Sequence, residues 1–145
     1  MIKMLFWNIR VVTRIPNLRR LKKLVKLHSL QLVAICEPKV DLVNINNVQL
    51  KLGMDLSVSN QWGTIWIFYK SPLSWTIGES CQHVSLHVQC PMFPSVICYS
   101  IVHAQCTVQE RETLWANLTL DRPFEIPWFL AGNFNVIVNE EEKRG

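Results

Sequence analysis

The chain has 145 residues, 49% of them hydrophobic, with six Trp and a formal net charge of +4. That is about one domain's worth of sequence with enough apolar material for a core. No apolar run approaches the ~18 residues of a membrane span. The first residues lack the long apolar segment of a secretory signal. Cys36, Cys81, Cys90, Cys98 and Cys106 make an odd count without a C-x-x-C pair. Reduced thiols in an intracellular compartment, nucleus or cytoplasm, are therefore expected. Residues 1–36 hold Lys3, Arg10, Arg14, Arg19, Arg20, Lys22, Lys23 and Lys26 but no acid, whereas Glu140, Glu141 and Glu142 close the chain. A basic front half favours a polyanionic partner, although a solvated helix face gives much the same pattern.

In chain order, Ile2–Trp7 reads as a strand ending at Asn8. Val11–Pro16 is a loop, and Asn17 is a candidate cap for the next helix. There Leu18, Leu21, Leu24, Val25 and His28 share one face. Arg19, Arg20, Lys22, Lys23 and Lys26 fall largely on the other. Such a helix either packs on a sheet with its charges in water or touches phosphates. Leu32–Cys36 is apolar throughout and predicts a buried strand. Glu37-Pro38-Lys39 closes it, since Pro38 cannot donate to a ladder. Strand, helix and strand over about 36 residues make a βαβ unit with a parallel pair. Open α/β sheets bind ligands outside the carboxyl ends of such strands. Asn8 and Glu37 are thus expected to meet.

Val40–Asn60 predicts loops with a short strand. Trp62–Lys70 is strongly strand-like, and Ser71-Pro72 ends it. Ser80–Val88 alternates, which predicts a half-exposed antiparallel strand. Pro91 and Pro94 bracket a turn before a long strand, Ser95–Cys106, with Tyr99 and His103 on one face. Thr107–Leu120 predicts a helix capped by Thr107 with Glu110, its inward stripe being Val108, Arg111, Leu114, Trp115 and Leu118. Trp128–Ala131 reads as a buried strand, and Gly132 as the residue that lets it turn. Asn133 and Asn135 follow, on one side if the strand continues. Amides at a strand tip suggest a bound ligand. No repeat or linker interrupts residues 1–145, so they form one domain or part of one.

Several residue types invite chemistry. Glu37, directly after an apolar strand, is either a divalent-metal ligand or a partner for a nearby cation. Asn8 can orient that carboxylate or cap a turn. Cys81, His83, His87 and Cys90 match no standard zinc spacing. His103 inside an apolar strand is either a satisfied core residue or a catalyst. There is no Gly-rich phosphate loop.

Taken together, the runs Met4–Arg10, Leu32–Lys39, Gly63–Phe68, Val102–Thr107, Glu110-Arg111 with Leu114-Trp115, Pro127-Trp128 and Gly132–Ile137 form a familiar series. In order and spacing it resembles the endonuclease/exonuclease/phosphatase superfamily, closest to the N-terminal endonuclease domain of plant non-LTR (LINE-type) retrotransposon polyproteins. The resemblance implies a DNase I-like two-sheet α/β sandwich with outer helices. It implies Mg2+-dependent cleavage of DNA phosphodiesters. It makes Glu37 the metal-binding Glu, Asn8 the Asn beside it, and Asn135 the Asn of a Gly-Asp-Phe-Asn motif that places phosphate. It also implies that activity is weak or lost. Asn133 stands where the family has the catalytic Asp, His103 stands for a phosphate-contacting Tyr, and Val11 for a Gly. A C-terminal Asp-His portion is expected to be missing, which makes the domain a truncated one. The other expectation is a non-catalytic remnant, either binding nucleic acid through Arg10, Arg14, Arg19, Arg20, Lys22 and Lys23 or simply a decayed reading frame.

Overall fold

The computed structural model describes residues 3–70, 74–89 and 96–135. Ser71-Pro72, Cys90, the Pro91 and Pro94 turn, Val136–Val138, the acidic Glu140–Glu142 and Gly145 lie outside the described residues.

The first sheet is built from β1 (Met4–Asn8), β2 (Leu32–Cys36), β3 (Leu56–Ser59) and β4 (Ile65–Tyr69), in the order β1-β2-β4-β3. β1 and β2 are parallel, with Asn8 opposite Cys36, as the βαβ reading requires. The second sheet contains β5 (Ser74–Glu79), β6 (His83–Val88), β7 (Ile97–His103) and β8 (Trp128–Asn133), in sequence order. Its last pair, β7 and β8, is parallel and sets His103 opposite Asn133.

Layering explains the apolar runs. In β2, Val33 and Ile35 join Leu21 and Val25 of α1 (Ile15–His28), Val48 and Leu52 of α2 (Ile45–Leu52), and Trp66 and Phe68 in one core. Leu32, Ala34 and Cys36 point the other way, against Leu86, Tyr99 and Ile101 between the sheets. A strand covered on both faces has no polar side to show. α3 (Val108–Asp121) covers the outside of the second sheet through Leu114 and Leu118, beside Val102. The molecule is thus a two-sheet α/β sandwich with helices outside, as expected.

Several details differ from the sequence reading. Asn17 does not cap α1, which begins at Ile15 with Pro16 in its first turn. Its amide reaches back to the carbonyls of Arg10 (3.2 Å) and Val11 (3.1 Å) instead. His28 is exposed. Residues 42–52 are helical rather than looped, with a short 3-10 turn, Leu42–Asn44, leading into α2. The polar side of β6 is largely out of water, with His83 and Ser85 buried and His87 half-buried. α3 covers it, and Ser85 meets Ser100 at 2.7 Å in full burial. The capping box of Thr107 and Glu110 is present, yet Val108 and Trp115 are exposed. β8 is an edge strand, not a buried one, with Phe129 and Leu130 exposed. It also runs straight through Gly132 to Asn133.

Candidate active site

β1 and β2 end side by side, so Asn8 and Glu37 share one edge of the first sheet. β7 and β8 end at His103 and Asn133 in the second. The two tips meet where His103 Nε2 approaches Glu37 Oε1 at 3.4 Å across the sandwich. Both line a cavity of about 480 Å3 walled by Lys39, Asp41, Trp62 and Thr64.

The backbone around this edge is strained. Arg10 (φ 43°), Val11 (59°), Glu37 (53°), Lys39 (49°) and Asn135 (48°) all take left-handed conformations. Each costs a residue with a Cβ about 1–2 kcal/mol, and such strain gathers at functional sites. Hydrogen bonds hold it in place. Val12 N–H donates to Pro38 O (3.0 Å), Glu37 N–H to Thr64 O (3.0 Å), and Asn17 grips the Arg10–Val11 turn.

His103 is 8% exposed. Burial lowers its pKa below the ordinary imidazole value of 6.5, outweighing the opposing pull of Glu37. It is therefore neutral at pH 7, with Nε2 the ring nitrogen turned towards Glu37. Nδ1 is buried without a partner among the described residues. The Cys36 thiol is driven up to about 12, first by burial and then by the charge of Glu37. It is no nucleophile at neutral pH.

The twin amides serve the backbone. Asn133 Oδ1 accepts from Asn135 N–H at 3.0 Å, and the Asn135 amide donates to Ala104 O. Asn135 is exposed, as is Asn8. Of the basic set, Arg20 lies over the Trp7 ring at 5.9 Å. Arg10, Arg14, Arg19, Lys22 and Lys23 are exposed. Among the described residues no three His, Cys, Asp or Glu side chains gather into a metal-binding group. His83 spends both ring nitrogens on Asp121 (2.5 Å) and Ser80 (2.6 Å), so it offers no zinc ligand.

Two buried amides escape sequence reasoning. Gln82 accepts from Gln105 N–H (2.8 Å) and donates to Glu110 O (2.7 Å), while its own carbonyl holds His103 N–H (2.8 Å). It fixes the end of β7 against α3. Asn60 accepts from Thr64 and Ile65 N–H, each at 2.9 Å, and donates to Cys81 O at 3.0 Å. That shapes the wall carrying Trp62 and Thr64. Each is one polar residue beside a strand end, a signal shared by many turn residues.

This arrangement of sheets, helices and joined strand tips is the DNase I-like α/β sandwich. The same architecture is found in an endonuclease/exonuclease/phosphatase family protein from Bacteroides thetaiotaomicron (16% identity, 90% of this chain and 62% of that one, TM-score 0.58). It recurs in the human Nocturnin catalytic domain with bound sulfate (13%, 99% and 68%, 0.63). D. rerio TDP2 complexed with a single-strand DNA product shares it too (14%, 94% and 61%, 0.66). No protein-family model matches the chain. No curated protein matches it by sequence.

Proposed function

We propose that the chain is a Mg2+-dependent phosphodiesterase-type domain that acts on the DNA backbone, with hydrolysis impaired by the amide at position 133. The observation that carries this reading is the meeting of Glu37 and His103, from different sheets, on the wall of one open cavity. The TDP2 structure with a DNA product supports the choice of substrate class.

The residues fit a weakly held ion. Mg2+ keeps most of its waters and needs only one or two carboxylates beside substrate oxygens. Glu37 supplies one carboxylate, and the Asn8 amide stands at the adjoining tip. When bound, the ion would neutralise charge developing on the phosphoryl oxygens. His103 Nε2, 3.4 Å from Glu37 Oε1, limits where that carboxylate can turn. Asn133 cannot take a proton from water, so the attacking water lacks its base. Asn135 reaches a phosphate only by releasing Ala104 O. Arg10 and Arg14 follow Asn8 and suit backbone phosphates beside the cavity, with Arg19, Arg20, Lys22 and Lys23 further along α1. The plant LINE-type source rests on the sequence motifs, and a reverse-transcriptase frame beyond codon 145 is the observation that tests it.

The test is nicking of supercoiled plasmid with Mg2+. The parent should nick barely at all. Asn133→Asp keeps the acceptor for Asn135 N–H and restores a base, which should raise the rate by about 10²–10⁴. Adding Glu37→Ala should abolish that gain. A gain that survives Glu37→Ala, or none in a folded Asn133→Asp chain, overturns the reading.

A further inference from the structure

At the opposite end of β2 lies a second cavity, about 560 Å3 and open to solvent. Lys22 and Lys26 of α1, Lys51 of α2 and Lys70 after β4 line it, with Gln31 at its edge and no Asp or Glu among its lining residues. Lys70 Nζ donates to Gly53 O at 2.6 Å, at the C-cap of α2.

The bland account is that lysines gather at helix C-termini. Lys26 and Lys51 do sit in the last turns of their helices. Each helix end contributes about −0.5 of a charge, however, against four full positive charges. About +3 is left over. Lys70 caps the end of α2 through Gly53 O, but Lys22 lies earlier in α1 and the helix ends do not explain it.

We infer that this cavity is a binding site for consecutive phosphates of a polynucleotide backbone, separate from the Glu37 site. Lysines are mobile point charges without the fixed fork of Arg. Four of them around an open cavity suit a run of phosphodiesters better than one tightly gripped anion. The site is distinct in space. Gln31 borders it and Glu37 borders the other cavity, so at ~3.3 Å per residue along β2 the two are about 20 Å apart. No single phosphate reaches both.

The experiment is fluorescence anisotropy of a labelled single-stranded oligonucleotide titrated with the full chain over a range of salt, without Mg2+. The cavity variant is Lys22→Gln/Lys26→Gln/Lys51→Gln, which leaves the Lys70 bond intact. The comparison variant, Arg122→Gln/Lys143→Gln/Arg144→Gln, loses the same charge at residues to which neither site assigns a phosphate. The cavity variant should bind at least about tenfold more weakly, and its slope of log affinity against log salt should fall by about 2, at ~0.7 per lost phosphate contact. Circular dichroism should show both variants folded. Equal losses in the two variants, or an unchanged slope in the cavity variant, overturn the site. Stabilisation of the parent by pyrophosphate with no oligonucleotide binding overturns the polynucleotide assignment in favour of a small anion. The assay omits Mg2+ and reads binding alone, so this result stands or falls apart from the nicking assay.

Discussion

His103 is where the physics of the site is most exposed to test. It sits between two sheets, neutral, with Nε2 3.4 Å from Glu37 and Nδ1 without a partner among the described residues. Its folded pKa lies below 6.5 because burial outweighs Glu37. An imidazole held below its unfolded value protonates first in the unfolded chain. Its contribution to stability is therefore whole above pH 6.5 and is lost as pH falls from there through the folded pKa. We expect urea midpoints to fall between pH ~7.5 and ~5.5, and to fall less in His103→Gln. Equal falls in the two proteins would show that His103 does not titrate as its burial demands. Val11 is a second residue-scale oddity. A β-branched side chain at φ 59° occupies the left-handed place where the resembling family has Gly. Asn17, gripping the carbonyls on either side of that turn, is the compensation the structure shows.

Among the elements, the β7–β8 pair is the least tolerant. Gly132 was read from sequence as a turn, but the strand passes through it. A Cβ there would lie 2.0 Å from Val102 O and 2.8 Å from Val102 N, and φ is 150°. Backbone cannot yield as a flexible side chain can, so Gly132→Ala should destabilise by about 3 kcal/mol, the upper range for overpacking. A shift in urea midpoint at unchanged m-value measures it, and a loss below about 0.5 kcal/mol, ordinary for surface changes, would contradict the close approach. Gly signals freedom of φ and also lack of bulk, and only the neighbouring strand says which one is used. Elements with a strong local signature were legible: the all-apolar β2, the parallel pairing with β1, and the capping box of α3. Residues 45–52 were not, because Asn46, Asn47 and Gln49 hide a helix whose buried residues are only Val48 and Leu52. The polar face of β6 misled for a related reason. Ser85 and His83 look like solvent-facing residues until Ser100 and Asp121 supply their partners across space. In the site, Asn8 and Glu37 were legible from the βαβ rule alone. The partnership of Glu37 with His103 was not, since it crosses between sheets far apart in sequence.

At the scale of the whole molecule, each sheet presents an edge strand on the same side. β1 ends one sheet and β8 ends the other, and between them Met4, Phe6, Tyr99, Ile101, Phe129 and Ala131 line an apolar opening of about 370 Å3. Phe129 is 61% exposed and leans on Tyr99 at 5.7 Å between ring centroids. An apolar mouth flanked by two strand edges without a pairing partner among the described residues is the surface that soluble proteins normally cover or charge. The solved structures it resembles have longer chains, of which this one spans 68% and 62%. We therefore expect the isolated chain to self-associate reversibly as its concentration rises. Phe129→Lys should oppose that, because the side chain stands 61% exposed at the rim of this opening and a lysine there both removes apolar area and repels a second copy. Light scattering coupled to size exclusion reads the result directly. The parent's mean mass should climb with loading while the variant's stays at that of one chain. If the parent remains at 16.9 kDa over the whole range, the apolar mouth is closed in solution by the chain's own residues, and the sandwich is complete without a partner.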